Sequence, residues 1–139
     1  MAVHTDHIEI ETEGEVQIFD ITEDVERIVG NSGIKEGIAL IFVPGSTGAI
    51  TTIEYEPGLL KDLPEALERL FPRDIVYEHH KRWHDGNGHS HVRASFLKPD
   101  LCVPVDSGTL TLGTWQQIVF VELDNKPRRR RIVVKVVGE

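Results

Sequence analysis

Five of the seven histidines of this 139-residue chain fall between positions 79 and 91. Imidazole is the commonest side-chain ligand for zinc and related ions, and three such ligands with a water molecule make an open catalytic site. The density of histidines therefore predicts a metal site, although the tight spacing of a His-Glu-x-x-His helix is absent. The five residues surround a polar loop and are His79, His80, His84, His89 and His91.

Spacing limits which of these histidines can share an ion. His89 and His91 would point to the same side of an extended chain, whereas on a helix they would lie about 200° apart. The preceding Gly88 permits an extended or turned entry, so convergence is possible, and His79 would join from the end of a preceding strand. The alternative is a polar surface loop whose histidines are solvated.

A second polar segment, residues 45–48, directly follows an apolar run at 37–44. Its flexible backbone N–H groups, with the hydroxyls of Ser46 and Thr47, can hold a phosphate or a carboxylate. The segment is not a P-loop, because it lacks the Gly-Lys-Ser/Thr ending. The alternative is an ordinary tight turn.

One acidic residue stands out on an apolar face. Alternation along a predicted strand places Glu122 beside Ile118 and Phe120, where a carboxylate is costly unless it is paired or functional. We consider three interpretations: a site residue, a solvent-exposed strand end, or an ion pair with Arg130 or Arg131 of a neighbouring strand.

The basic run 128–131 resembles a nucleic-acid-binding tract, but a strand would send alternate arginines to opposite faces. The formal net charge of −8 also opposes binding to phosphate backbones or anionic membranes. Ion pairs within the sheet or across a subunit interface are the favoured interpretation. The single cysteine, Cys102, excludes intrachain disulfides and cysteine-rich zinc sites.

Composition and length predict one globular domain over residues 1–139. Hydrophobic residues make up 40% and charged residues 27%, which is too apolar for wholesale disorder. No apolar run approaches the roughly 20 residues that a membrane helix needs, and residues 1–6 lack the order of a secretory signal. We therefore expect a cytoplasmic protein with no membrane or nucleic-acid partner.

The elements that must position these residues follow from hydrophobic periodicity. The pattern predicts an α+β fold, with a mixed, mainly antiparallel sheet and helices packed on it, because short turns link most strands. The run at 37–44 is typical of a central strand buried on both faces. The predicted strands lie within 7–21 (a pair with a turn at 13–14) and at 37–44, 50–56, 75–79, 101–105, 110–123 and 130–137; the helices begin at 22, 62 and 91.

The order of several motifs resembles the YjbQ-like family, often labelled secondary thiamine-phosphate synthase. The resemblance runs from about Ile8 to the last residue, and its most specific part is the Leu-Gly-Thr-Trp-Gln stretch at 112–116, before the strand that ends in Glu122. The motifs in order are Tyr77-Glu78-His79, residues 88–95, Val103-Pro104-Val105, residues 112–117, Glu122, the basic run and Val137-Gly138-Glu139.

Membership of this family implies a compact α/β sandwich that assembles as a trimer. It also implies a metal or anion site around His79 and His91, with His89 present in a His-x-His form. The associated activity is a weak coupling of hydroxymethylpyrimidine diphosphate to a thiazole phosphate. Many members carry His-Thr-Thr or His-Thr-Ser where this chain has Gly45-Ser46-Thr47. If that histidine does acid–base or ligand work, this chain has a different substrate or reaction.

The leading expectation is a metal-dependent enzyme acting on a phosphorylated small molecule, and the alternative is a metal- or ligand-binding protein without turnover. A divalent ion, zinc first, would be held by His79, His89 and His91. Glu122 and Thr47 would serve catalysis, and a homotrimer is the expected assembly. The expected substrate-binding residues are Ser46, Thr47, Gly48 and Gln116.

Overall fold

The computed structural model describes all 139 residues, which form eight strands and four helices. The strands are β1 (Ala2–Glu11), β2 (Gln17–Asp20), β3 (Gly37–Phe42), β4 (Gly48–Ile53), β5 (Asp100–Asp106), β6 (Thr109–Leu110), β7 (Gln117–Glu122) and β8 (Arg129–Gly138). The helices are α1 (Thr22–Ser32), α2 (Pro57–Leu70), α3 (Glu78–Trp83) and α4 (Gly88–Leu97).

The strands form two sheets that pack face to face. The larger sheet has the order β1-β8-β3-β5-β6, the smaller has the order β2-β7-β4, and every strand pair is antiparallel. Alternate residues of each strand point between the sheets, where Ile41, Phe120 and Ile132 lie in a core of 17 buried residues. Helix α1 adds its apolar face, Val25 and Ile28 among it, to the same core.

Strand β7 is covered on both sides. Ile118 and Phe120 face the larger sheet, whereas Val119 and Val121 pack in a second core beneath α2 and α4. The predicted α+β class, with helices packed on a largely antiparallel sheet, is therefore confirmed. The sequence of layers is larger sheet, smaller sheet, then α2 and α4.

The prediction that the 37–44 run is buried on both faces is wrong. In β3 the residues Ala39 and Ile41 are buried, but Ile38, Leu40 and Phe42 are exposed on the outer face of the larger sheet. An apolar run indicates that both faces of the strand are apolar, but it does not indicate whether a helix or a second sheet covers each face.

Local capping explains one of two shifted helix boundaries. Helix α2 begins at Pro57 rather than 62, because the Glu56 carboxylate accepts hydrogen bonds from the N–H groups of Gly58 and Leu59. Helix α4 begins at Gly88 rather than 91, and α3 replaces the predicted strand at 75–79. The predicted strand at 110–123 is interrupted between β6 and β7. None of the four helices has the length and apolarity that crossing a membrane requires.

Candidate functional site

A polar cleft of about 440 Å³ opens between the β3–β4 loop, the beginning of β8 and the helices α3 and α4. One wall consists of the loop and two arginines, and the other wall is mainly helical. The first wall carries Gly45, Ser46, Thr47, Arg128 and Arg130; the second carries His79, Trp83, Asp85, Asn87 and His91.

The β3–β4 loop presents unused hydrogen-bond donors. The backbone N–H groups of Gly45, Ser46 and Thr47 have no hydrogen-bond partner within the chain. Gly45 has a φ of +112°, a conformation that residues with a side chain rarely adopt. Consecutive free N–H groups in such a turn form a concave site for an anion.

Arg130 lies against this loop, and one of its three guanidinium nitrogens has no hydrogen-bond partner. Its Nε donates to Glu122 Oε1 at 2.9 Å, and its Nη2 donates to Glu122 Oε2 and to Thr47 Oγ1. Nη1 has no partner, and the residue lines the cleft. The guanidinium also sits over the Phe120 ring, 5.8 Å from its centroid. Arg130 therefore offers a fixed, charged donor to the cleft.

Two glycines make room for this arginine. A Cβ at position 45 would lie 3.1 Å from Arg130 Nη1, and a Cβ at position 48 would lie 2.8 Å from the Phe120 ring. Gly48 is the buried first residue of β4 and does not line the cleft itself. Gly48 was predicted to contact substrate, but in the structure it allows the loop to approach Phe120 and Arg130 closely.

A buried carboxylate, Asp124, links the two walls. It accepts hydrogen bonds from Thr47 Oγ1, from Asn87 Nδ2 and from Arg128 Nε, at 3.0, 3.2 and 2.8 Å. Burial by itself raises the pKa of Asp124, but the bonds from Arg128, Asn87, Thr47 and the backbone outweigh it, so the pKa is lowered. The group stays ionised and holds Arg128 at the rim of the cleft.

Glu122 lies behind Arg130 and does not line the cleft. Its side chain is fully buried; Oε1 accepts the Thr12 hydroxyl at 2.7 Å as well as Arg130 Nε. The structure thus shows the ion-pair interpretation with Arg130, and neither oxygen is free to act as a general base on a ligand in the cleft. Thr47 is similarly engaged, since its hydroxyl donates to Asp124 and accepts from Arg130.

The basic run is divided between two faces, as the alternation predicts. Arg128 and Arg130 face the cleft, whereas Arg129 and Arg131 are exposed and pair with Glu11 and Glu9 across the sheet, at 2.9 and 3.5 Å. The favoured interpretation of ion pairs within the sheet is confirmed. A continuous basic stripe is not formed.

Two histidines form the opposite wall. The rings of His79 on α3 and His91 on α4 lie with their centroids 4.4 Å apart. Burial is the larger cause, and the nearby His79 the smaller one, of a lowered pKa at His91. The imidazole of His91 is therefore neutral near neutral pH. His79 Nδ1 and Asn87 Oδ1 are buried without a hydrogen-bond partner, although Asp85 Oδ1 lies 3.4 Å from His79 Nδ1. Both residues line the cleft, so a ligand or water there would supply the missing partner.

His89 does not join this pair. Because α4 already includes residue 89, His89 and His91 lie on opposite sides of one helix. His89 is fully buried, and its Nε2 lies 3.0 Å from a Glu15 carboxylate oxygen. No three His, Cys, Asp or Glu side chains converge anywhere in the chain in a way that could hold an ion. The predicted three-histidine ligand set therefore does not fit the structure.

Gln116 is also placed away from the cleft. It precedes β7, accepts a hydrogen bond from Gly113 N–H and donates one to Thr52. Glu122 ends the same strand, about 20 Å further along an extended chain. Of the predicted substrate-binding residues, Ser46 and Thr47 line the cleft, and Gly48 and Gln116 do not.

Comparison with known proteins agrees with the resemblance in the sequence. The profile of the UPF0047 protein YjbQ-like family matches residues 6–139. The chain belongs to the UPF0047 YjbQ-like family.

Relatives within UPF0047 match along nearly their whole lengths. A UPF0047 protein from Methanothermobacter thermautotrophicus is 42% identical over 100% of this chain and 95% of its own, and one from Archaeoglobus fulgidus is 41% identical over 92% and 97%. The crystal structure of a YbjQ-like protein of unknown function from Sulfolobus solfataricus is 38% identical, with a TM-score of 0.89 over 99% of this chain and 100% of that one.

Sequence reasoning missed four residues that build this UPF0047 cleft: Arg128, Arg130, Asp124 and Asn87. A signal for three of them was available. Glu122 and Asp124 are two positions apart, as are Arg128 and Arg130, so each pair shares one face of an extended segment. The sequence offered Arg130 as one of two partners for Glu122, but it did not indicate that the arginines would reach the β3–β4 loop, because β7 and β8 belong to different sheets.

Proposed function

We propose that this chain is an enzyme that acts on a phosphorylated small molecule bound in the cleft. The observation that carries the proposal is the closeness of Arg130 Nη1 to the loop at residues 45–47, whose backbone N–H groups have no partner within the chain. Phosphate oxygens are the natural acceptors for such a combination of backbone donors and a planar guanidinium. Arg128 adds a second cation at the rim.

The chain has a net charge of −8, so an anion site in it depends on local donors rather than on the overall charge. Arg130 is balanced by Glu122 and Arg128 by Asp124, so the wall is close to electrically neutral. An anion would be attracted by fixed N–H groups rather than by excess positive charge. The two buried acids and Thr47 thus support the site by holding the arginines and the loop.

The reaction proposed is a synthase-like coupling, as the family resemblance implies, with a departing diphosphate stabilised by the loop and the arginines. In this coupling the thiazole nitrogen bonds to the methylene carbon of the pyrimidine while the carbon–oxygen bond to the diphosphate breaks, and the diphosphate leaves with the bonding electrons. The neutral His91 and its neighbour His79 line the opposite wall, and their N–H groups are available to donate hydrogen bonds to the departing diphosphate. Trp83 at the rim offers an aromatic surface to the organic part of a ligand.

Replacing both cleft histidines separates an enzyme from a binding protein. We expect His79→Ala/His91→Ala to reduce product formation from hydroxymethylpyrimidine diphosphate and thiazole phosphate at least about 100-fold, the usual cost of removing a donor to charge that develops in the transition state. Binding of inorganic phosphate, measured by calorimetry, should change less than about threefold. His80→Ala, outside the cleft, is the control. Absence of turnover in the unaltered protein would support the non-catalytic alternative.

Zinc binding stays a prediction, now restricted to the His79–His91 wall. We expect elemental analysis of protein purified without a histidine tag to find a divalent ion in His89→Ala but not in His79→Ala/His91→Ala. The reason is that His89 is buried against Glu15 on the opposite side of α4. If the double variant retains an ion, that ion is not bound in the cleft.

We also propose that the chain forms a homotrimer through the outer face of the larger sheet. Val3, Ile38, Leu40 and Phe42 are exposed there, an apolar patch that free surfaces rarely carry. Lys135 lies opposite Leu40 and Asp100 opposite Phe42, and neither has an ion-pair partner within the chain. Copies of the chain could therefore cover the apolar residues and pair these two charges.

Introducing a charge into this face should dissociate the assembly. Light scattering of the unaltered protein should give a mass of three 15.7 kDa chains, and Leu40→Glu should shift it to one chain at micromolar concentration. Lys61→Glu on the exposed side of α2 is the matched control and should leave the mass unchanged. A monomer in the unaltered protein would refute the proposal.

A further inference from the structure

A second, smaller hollow of about 200 Å³ lies on the other side of the β3–β4 loop from the main body of the cleft. It shares Gly45 and Ser46 with the cleft, so the two spaces meet at the loop. The remaining lining residues come from the beginning of β4 and the end of α4, and they are Gly48, Ala94, Ser95 and Pro99.

The hollow continues the cleft along α4. His91 lines the cleft and Ser95 lines the hollow, and residues four apart are neighbours on one face of a helix. A ligand that is anchored at the loop therefore has a path from the histidine wall towards the C-terminal end of the helix.

Backbone hydrogen bonds hold both walls of the hollow in place. Val43 N–H donates to Pro99 O at 3.0 Å, and Ile50 N–H donates to Lys98 O at 3.1 Å. One bond lies before and the other after residues 45–48, and together they attach the segment that follows α4 to the two strands on either side of this loop. The hollow is thus formed before a ligand binds, so little ordering would oppose binding.

The lining of the hollow differs in chemistry from that of the cleft. It contains no charged side chain, and its only polar side chains are Ser46 and Ser95. The Ser95 hydroxyl donates to His91 O at 2.8 Å, so its hydrogen is already used. The hollow therefore offers a polyhydroxylated group few side-chain partners, whereas an apolar group needs none.

We infer that the hollow is a specificity subsite that takes a small apolar ring or branched alkyl group attached to the phosphate held at the loop. The inference rests on the proposed function and narrows its substrate class to phosphate esters of small, uncharged, largely apolar alcohols, excluding sugar phosphates. A cavity of about 150 Å³ can hold a benzene ring, so this hollow suits one ring.

Calorimetry with three probes tests this subsite: phenyl phosphate, glycerol phosphate and inorganic phosphate. Burial of about 60 Å² of a phenyl ring should tighten binding roughly tenfold over inorganic phosphate. Glycerol phosphate should gain no such advantage. In Ser95→Trp, whose indole would occupy the hollow from its exposed rim, the ratio of phenyl phosphate to inorganic phosphate affinity should fall to about one; in Ser95→Ala it should persist.

Two results would overturn the subsite and are distinct from failure of the proposed function. If inorganic phosphate binds but phenyl phosphate has no advantage, or if the advantage survives Ser95→Trp, the hollow does not select the ligand although the anion site stands. If none of the three anions binds, the anion site itself is wrong, and the subsite falls with it.

Discussion

Arg130→Lys should weaken binding of inorganic phosphate by about 10- to 100-fold, the range expected for a lost charge-assisted hydrogen bond. A lysine at position 130 could still pair with Glu122, but it is a single point charge without the planar fork of arginine. Its three donors radiate from one nitrogen, so it cannot keep the bidentate contact with Glu122 and also donate to Thr47 and a ligand, as the three nitrogens of Arg130 are placed to do. Calorimetric titration gives the affinity directly.

Arg129→Lys is the matched control for this experiment. Arg129 is the next residue on β8, but it points to the exposed side and pairs with Glu11. The affinity for phosphate should be unchanged in this variant. Equal affinities in Arg130→Lys and the unaltered protein would mean that Nη1 does not contact the anion, and the central observation behind the proposed function would be lost.

Arg130→Ala should destabilise the protein by about 3–5 kcal/mol, because it leaves the buried carboxylate of Glu122 without its cation. Thr12 and the N–H of Asp124 would still donate to Glu122, but two neutral donors do not replace a bidentate guanidinium. Urea unfolding monitored by circular dichroism measures the change in the free energy of unfolding.

A second variant separates the unpaired charge from the lost packing. Arg130→Met/Glu122→Gln removes both charges while keeping side chains of similar length, and it should recover at least half of the stability lost in Arg130→Ala. Both variants should bind phosphate more weakly than the unaltered protein, since both lack Nη1. If Arg130→Ala unfolds at the same urea concentration as the unaltered protein, Glu122 is not held as an isolated buried pair with Arg130.

Much of the fold was predictable because it depends on local patterns. Alternation located β1, β2 and β8, although β1 and β2 lie in different sheets and do not form the predicted pair. Thr22 with the acids after it located α1. The errors fell where a local cap or a missing outer layer decided the result: the Glu56 carboxylate extends α2, and nothing within the chain covers the outer side of β3. Neither effect produces a periodic pattern of residues, so neither can be predicted from hydrophobic periodicity.

The candidate site was predictable only in part, for a related reason. Ser46, Thr47, His79 and His91 were found from residue type and do line one cleft. His89 was misplaced because one turn of helix, beginning at Gly88, separates it from His91 by about 200°. Glu122 was found as an unusual acid on an apolar face, but whether it met a ligand or Arg130 depended on what lay across the gap between two sheets.

The sequence by itself determined the family, the α+β class, the division of the arginine run between two faces and the presence of a flexible donor loop. These properties depend on residue order and on periods of two or 3.6 residues. Only the tertiary structure decided which groups meet. It placed Arg130 between Glu122 and the loop, and Asp124 between Thr47 and Asn87. Apart from the Glu122–Arg130 pair, whose residues are eight positions apart, these contacts join segments more than thirty residues apart. Their partners are selected by the packing of sheets and helices, which no local pattern specifies.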